Sequence, residues 1–217
     1  MPRNAVDLIE TFNAGRDPER LALKYRAMAA DPFAFLRGSC HLFYQDYAAS
    51  GPCLDTPAVW ICGDLHLENF GSYLGDNRHA YFNLNDFGES ILAPAHWELS
   101  RFLVSVWVAA GTLGLKPVES LQLCKTFLSH YGATLSKGEL RPVHQDSAKG
   151  MVRDLLRNVR KRDSTAYLDA RTQKVNGRRA LRLDGKKALP ISEADRAHVA
   201  RLIARHAESQ ANPGYFH

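Results

Sequence analysis

The architecture of this chain follows from two acidic stretches, Cys62-Gly63-Asp64-Leu65-His66-Leu67-Glu68-Asn69-Phe70 and Asn83-Leu84-Asn85-Asp86-Phe87-Gly88-Glu89. Each stretch overlaps the end of a short run that is typical of a strand, at residues 58–62 and 81–85. The first run is continuously apolar and predicts a buried strand, whereas the second alternates. Turn-forming residues at 75–77 separate the two runs. We therefore predict a hairpin-like interval that brings the two acidic loops side by side.

The residue types in these loops suit phosphoryl transfer from ATP. That reaction needs one carboxylate to orient the attacking hydroxyl, and a second carboxylate with an amide to hold Mg²⁺ against the phosphates. In protein kinases these groups are the Asp and Asn of H-R-D-x-x-x-x-N and the Asp of D-F-G. Asp64 and Asn69 have the same offset of five, and Asp86-Phe87-Gly88 begins 17 positions after Asn69. We predict Asp64 as the catalytic base, and Asn69 and Asp86 as magnesium ligands.

Two nearby residues have both a functional and a structural interpretation. His66 either acts in catalysis beside Asp64 or stabilises the loop through a hydrogen bond. Arg37, at the end of an apolar run, either binds a nucleotide phosphate or forms a structural ion pair. Glu98 and Arg101 lie three residues apart on a predicted helix, a spacing at which the two can pair.

Composition places the chain among ordinary globular proteins. Its 217 residues are 45% hydrophobic and 24% charged, and no apolar run approaches the ~20 residues of a membrane span. The first residues lack the apolar stretch of a signal peptide, so we expect a cytoplasmic protein. Residues 141–217 hold 17 Lys and Arg against 8 Asp and Glu, whereas residues 1–140 hold 11 against 15. The basic third either binds an anionic partner or forms a solvated surface.

The chain is predicted to be mixed α/β, mainly helical α+β, in two regions. Residues 1–140 carry the acidic loops, and residues 141–217 form a basic helix–hairpin–helix segment whose hairpin turns at Asp184-Gly185. Asp17 is the expected N-cap of a helix that starts at Pro18. Residues 32–38 begin as an apolar run and become abruptly basic and flexible at Arg37-Gly38. Helices are predicted at residues 6–12, 18–30, 39–49, 94–110, 117–135, 151–162 and 192–208.

These motifs also resemble those of known families. Gly63-Asp64-Leu65-His66 and Asn69 are similar to the G-D-x-H-x-x-N loop of aminoglycoside and choline kinases, which share the protein-kinase-like fold. The segments 32–38, 62–71, 84–87 and 97–101 occur in the order typical of the bacterial family called domain of unknown function 2252. This resemblance covers most of residues 20–217. The family commonly has an acidic residue after Asp-Phe, where this chain has Gly88.

The resemblance implies a protein-kinase-like catalytic region that uses Mg²⁺ and ATP, with a nucleotide and an unidentified hydroxyl compound as partners. A kinase also needs a glycine-rich loop and a lysine on the phosphates. No G-x-G-x-x-G precedes Asp64. Members of the resembled family look permuted, with a G-x-G-S-x-G segment and a K-E-A lysine that would begin shortly after residue 217. We therefore expect a permuted and incomplete kinase-like region, the N-terminal portion of a longer protein, with little activity alone.

Two other functions stay open at this point. A metallophosphoesterase would use Asp64-Leu65-His66 as its D-x-H metal-binding element, although the later histidines lack the sequence context that such two-metal sites need. A non-catalytic chain would bind a protein or a nucleic acid through its basic third, although no helix-turn-helix, RNA-recognition or zinc-finger pattern occurs. The sequence favours the phosphotransferase and leaves its acceptor and oligomeric state open.

Overall fold

A computed structural model describes residues 4–52, 54–138, 141–162, 164–185 and 187–210. Its internal contacts divide the chain into two units, Met1–Arg160 and Lys161–His217. The boundary that we predict between the regions 1–140 and 141–217 falls next to residues 139–140, which lie outside the described residues. The chain is mixed α/β and mainly helical, with small antiparallel sheets, which confirms the predicted class.

Four helices begin the first unit, and most have a cap at the start. Their bounds are α1 Ala5–Phe12, α2 Pro18–Ala30, α3 Pro32–Gly38 and α4 Cys40–Ser50. The side chains of Asn4, Asp17 and Asp31 accept hydrogen bonds from backbone N–H groups in the first turns of α1, α2 and α3. A proline at the first position of α2 and α3 supplies a helical φ without losing a helix hydrogen bond. The predicted flexibility at Arg37-Gly38 is therefore wrong, because the Asp31 cap and Pro32 start a helix that extends to Gly38.

Two small antiparallel sheets follow. Strands β1 Ala58–Ile61 and β4 Ile91–Pro94 pair with each other, while β2 Phe70–Leu74, β3 Ala80–Leu84 and β5 Val143–His144 form a second sheet in the order β2-β3-β5. A 3₁₀ turn, Leu67–Asn69, lies directly before β2. The strand predicted at residues 58–62 is present as Ala58–Ile61, but it is mostly exposed: Trp60 is 76% exposed, and of these four residues only Ile61 is buried. Because β1 pairs only with β4 in the described sheets, it is an edge strand rather than a central one.

The helix α5, Ala95–Thr112, is the central element of the first unit. It packs against α3, β1 and the helix α6, Pro117–Lys137. Phe102 and Val106 of α5 form a buried cluster with Cys62 and Leu65, the residues that flank Gly63-Asp64. The helix α7, Gly150–Arg160, packs on the β2–β3 hairpin through Leu156. The acidic loop after β1 is therefore anchored on a long buried helix.

The second unit contains α8 Ser164–Arg171, β6 Thr172–Val175, β7 Arg178–Leu181 and α9 Glu193–Glu208. Its hairpin turns at Asn176-Gly177, where φ is 51° and 78°. The predicted hairpin at Asp184-Gly185 is wrong, since the described residues between 182 and 192 form no strand. Asp184 instead accepts hydrogen bonds from the backbone N–H groups of two following residues and closes a local turn. The helix predicted at residues 192–208 is present as α9, and the Ser192 side chain caps it by accepting a hydrogen bond from the backbone N–H of Asp195.

Candidate functional site

Two neighbouring loops hold the residues singled out by the sequence. We refer to residues 62–69 as the Asp64 loop and to residues 85–90 as the Asp86 loop. The register of the β2–β3 pair places Phe70 opposite Leu84. The pairing continues one step beyond the strands, because the backbone N–H of Asn85 donates to the carbonyl of Asn69 over 2.9 Å. The two loops therefore lie side by side, which confirms this expectation.

Two glycines hold the loops in close contact. Gly63 has a φ of +89°, and a Cβ atom there would overlap the backbone oxygen of Glu89. A Cβ atom on Gly71 would likewise overlap the side-chain amide of Asn85. Glycine at these positions allows the Asp64 loop and the start of β2 to pack directly against the Asp86 loop.

The carboxylate of Asp64 is held by a buried arginine. Its Oδ1 atom accepts hydrogen bonds from Nε and Nη2 of Arg101, over 3.0 and 2.6 Å. The Arg101 side chain is fully buried, whereas the Asp64 side chain keeps 15% of its surface exposed. Arg101 also donates to the carbonyl of Leu36 over 2.6 Å, and its guanidinium lies 5.1 Å from the ring centroid of Phe43. These contacts fix one carboxylate oxygen and leave Oδ2 outside the pair.

The local partner that the spacing suggested for Arg101 is engaged elsewhere. Oε1 of Glu98 accepts a hydrogen bond from the backbone N–H of Cys62 over 2.5 Å. Glu98 thus joins the start of α5 to the end of β1, one turn before Arg101 binds Asp64. Glu98 and Arg101 of α5 therefore both position the Asp64 loop. The sequence analysis missed this role because it considered only pairing within the helix.

Asn69 and His66 stabilise the interior of the Asp64 loop. Nδ2 of Asn69 donates to the carbonyl of Asp64 over 2.9 Å, and Asn69 itself is buried. Nδ1 of the buried His66 accepts from the backbone N–H of Glu68 over 3.1 Å. Burial lowers the pKa of His66, with the Asp64 charge opposing the shift. His66 is therefore neutral at pH 7, with its proton assigned to Nε2, which lies 3.9 Å from Oδ2 of Asp64.

Arg37 and Asp86 lie at the solvent-exposed border of the two loops. Nη1 of Arg37 pairs with Oε2 of Glu68 over 2.5 Å, and both side chains are about half exposed. Asp86 is exposed, and its Oδ1 accepts a hydrogen bond from the backbone N–H of Gly88 over 3.1 Å. The structure therefore holds His66 and Asn69 within the Asp64 loop and places Arg37 beside it, paired with Glu68. It brings the backbone of the Asp86 loop beside them, while the Asp86 carboxylate itself faces solvent.

The oxygen donors of the two loops are chemically suited to Mg²⁺. Magnesium prefers oxygen ligands and usually takes one or two carboxylates together with water and substrate phosphates. Asn69 offers an amide oxygen, and Asp86 offers a carboxylate whose second oxygen makes no hydrogen bond among the described residues. Groups of three or more His, Cys, Asp or Glu side chains arranged for a metal do not occur in the described part of the chain. The two loops thus carry oxygen donors of the type that Mg²⁺ takes.

Comparison with known proteins gives a family. The profile of a family described as "Uncharacterized protein conserved in bacteria (DUF2252)" matches residues 16–215. The chain belongs to the DUF2252 family. This confirms the family resemblance drawn from the ordered motifs, and the match includes both loops of this DUF2252 chain. Neither a curated protein nor a solved structure gives a match.

No helix in the described ranges is long and apolar enough to cross a membrane.

Proposed function

We propose that this DUF2252 chain carries the catalytic and magnesium-binding loops of a phosphotransferase that moves the γ-phosphoryl group of ATP to a hydroxyl acceptor. The main support is the hydrogen bond between the Asn85 N–H and the Asn69 carbonyl. It joins a loop that contains a carboxylate and an amide to a loop that contains a second carboxylate. A kinase-type reaction requires these three groups next to one another.

Asp64 is the residue that orients the acceptor in this proposal. Arg101 holds Oδ1, so the position of the carboxylate is set by a buried helix rather than by a flexible loop. Oδ2 lies outside that pair and is the atom that accepts the hydroxyl proton. Since catalysis depends on accurate placement, a fixed carboxylate with one open oxygen suits a general base.

Asn69 and Asp86 are the magnesium ligands in this proposal, and Arg37 is a phosphate ligand. When bound, Mg²⁺ would neutralise charge on the phosphates. Asn69 is already fixed by its bond to the Asp64 carbonyl, whereas Asp86 is exposed and adjusts to the metal. The ion pair of Arg37 with Glu68 is half exposed, so the guanidinium is able to exchange a carboxylate for a phosphate.

The proposal is tested by titrating the full chain with ATP in a calorimeter, with and without Mg²⁺. Asp86→Asn should weaken Mg²⁺-dependent binding by at least about tenfold, because it removes the charge of a metal ligand. The thermal melting temperature should stay unchanged, since the Asp86 side chain is exposed. Asp76→Asn is the matched control: Asp76 is also exposed, but it lies in the β2–β3 turn, away from both loops.

Asp64→Asn separates binding from chemistry. We expect it to retain Mg²⁺·ATP binding and to lose phosphoryl transfer, measured as release of ADP in the presence of a panel of hydroxyl compounds. Absence of Mg²⁺·ATP binding in the unmodified chain, or equal binding in the Asp86→Asn and Asp76→Asn variants, would contradict the proposal.

A further inference from the structure

A cavity of about 670 Å³ lies within the first unit, beside the Asp64 loop. Its walls come from the four N-terminal helices, from β1 and β4, and from the start of α5. Gly63 lines it from the Asp64 loop and Glu89 from the Asp86 loop. A volume of this size is typical of a site for a small molecule.

Three cationic side chains line this cavity: Arg16, Lys24 and Arg37. Arg37 is paired with Glu68, but Arg16 and Lys24 form no ion pair among the described residues. The ammonium group of Lys24 donates to the amide oxygen of Asn13 over 3.0 Å. Burial and the nearby charge of Arg16 lower the pKa of Lys24, with Glu89 opposing them. Three cationic side chains thus share a lining in which Glu89 is the one carboxylate among the described residues, so the cavity carries an excess of positive charge that a bound anion would stabilise.

The rest of the wall is largely aromatic and apolar. The rings of Tyr44 and Trp97 stack with their centroids 5.7 Å apart and their planes at 21°. Residues 91–94 of β4 add aliphatic surface. Burial raises the pKa of the Cys40 thiol in this wall to about 12, so this cysteine contributes no negative charge at pH 7. The cavity lining therefore combines cationic side chains with aromatic and aliphatic surface.

We infer that this cavity, which we call the Arg16–Lys24 cavity, binds a small molecule that carries a phosphate or carboxylate group on a flat apolar body. The anionic group would lie against Arg16 and Lys24, and the apolar body against Tyr44, Trp97 and β4. The inference rests on the lining of the cavity and does not require phosphoryl transfer. A nucleotide and a simpler aromatic acid share this chemistry.

The probes that test it are 1-naphthyl phosphate, 1-naphthol and inorganic phosphate, titrated into the full chain by calorimetry. The phosphate ester should bind at least about tenfold more tightly than either of the others, because only it reaches both sides of the cavity. Lys24→Gln and Arg16→Gln should each weaken it by about tenfold, since each removes a charge-assisted contact. The matched controls are Lys125→Gln on α6 and Arg26→Gln on α2, which are exposed and outside the cavity.

Competition with metal-free ADP distinguishes the two ligand classes. Displacement of the ester by ADP would identify a nucleotide site, whereas failure of ADP to compete would identify a site for an aromatic acid.

A second measurement needs no variant. The indole N–H resonance of Trp97 should shift when 1-naphthyl phosphate is added, whereas that of Trp107, which is 46% exposed and outside the cavity, should not. Equal binding of 1-naphthol and its phosphate ester, or a shift of Trp107 without Trp97, would overturn the inference. Because all probes are added without Mg²⁺, these results are separate from the Mg²⁺·ATP titrations of the Asp86→Asn variant.

Discussion

The ion pair between Asp64 and Arg101 joins the Asp64 loop to helix α5. Transfer of an arginine into the protein interior costs free energy, and the pair offsets that cost only when further hydrogen bonds satisfy the guanidinium. Here the carbonyl of Leu36 and the ring of Phe43 supply additional contacts, but Nη1 of Arg101 has no hydrogen-bond partner in the described structure. The pair is therefore better explained as a device that positions Asp64 than as a source of stability.

Arg101→Met tests how strongly this pair is coupled. It leaves the Asp64 carboxylate, which is mostly buried, without its partner, so the free energy of unfolding should fall by about 3–5 kcal/mol. Arg37→Met is the matched control, since its pair with Glu68 is half exposed and should contribute about 1 kcal/mol or less. Urea denaturation measures both. The double variant with Asp64→Asn should lose less than the sum of the single losses, and strict additivity would show that the two charges are not coupled.

The sequence identified the loop residues better than their partners. Asp64 and Asn69 lie in one short loop, so their spacing alone was enough to bring them together. Arg101 was missed because helical spacing indicates only local partners such as Glu98, whereas the packing of α5 under the loop depends on the whole fold. The exposed Asp86 carboxylate is fixed by no packing, and the sequence therefore had no means of predicting its direction.

Secondary structure elements were predictable where capping or turn chemistry is local. Asp17 and Pro18 determine where α2 begins, and the structure has that helix at Pro18–Ala30. The hairpin of the second unit was placed incorrectly because Asn176-Gly177 and Asp184-Gly185 are both strong turn sequences. Strand pairing chooses between them, and that choice depends on contacts that the local sequence does not specify.

Gly63→Ala tests the junction between the Asp64 and Asp86 loops. Gly114→Ala is its matched control: both glycines have positive φ, +89° and +74°, but nothing lies within 4 Å of a Cβ on Gly114. Gly114→Ala should lower stability by about 1–2 kcal/mol through backbone strain alone. Gly63→Ala should cost clearly more, because its methyl group overlaps the Glu89 backbone and forces the loops apart. Thermal denaturation measures both variants, and equal losses would mean that the junction tolerates separation.

The buried apolar side chains of the molecule are concentrated in the first unit. Three clusters lie there, around Cys62, Leu65, Phe102 and Val106, around Ile9, Met28 and Leu42, and around Ala80, Ala148 and Leu156. Among the described residues of the second unit only Ala207 is buried. Since burial of apolar surface is the main favourable contribution to folding, the candidate site lies in the more stable unit.

Hydrogen exchange should reveal this difference between the units. Backbone amides of α5, whose helix carries buried Phe102 and Val106, should open only with global unfolding. The amides of α9 are hydrogen-bonded as well, yet Val199, Leu202 and Ile203 on this helix are 43–46% exposed, so little apolar burial opposes local opening. Peptides from α9 should therefore exchange at least about a hundredfold faster than peptides from α5 when followed by mass spectrometry. Equal protection would mean that the two units unfold as one.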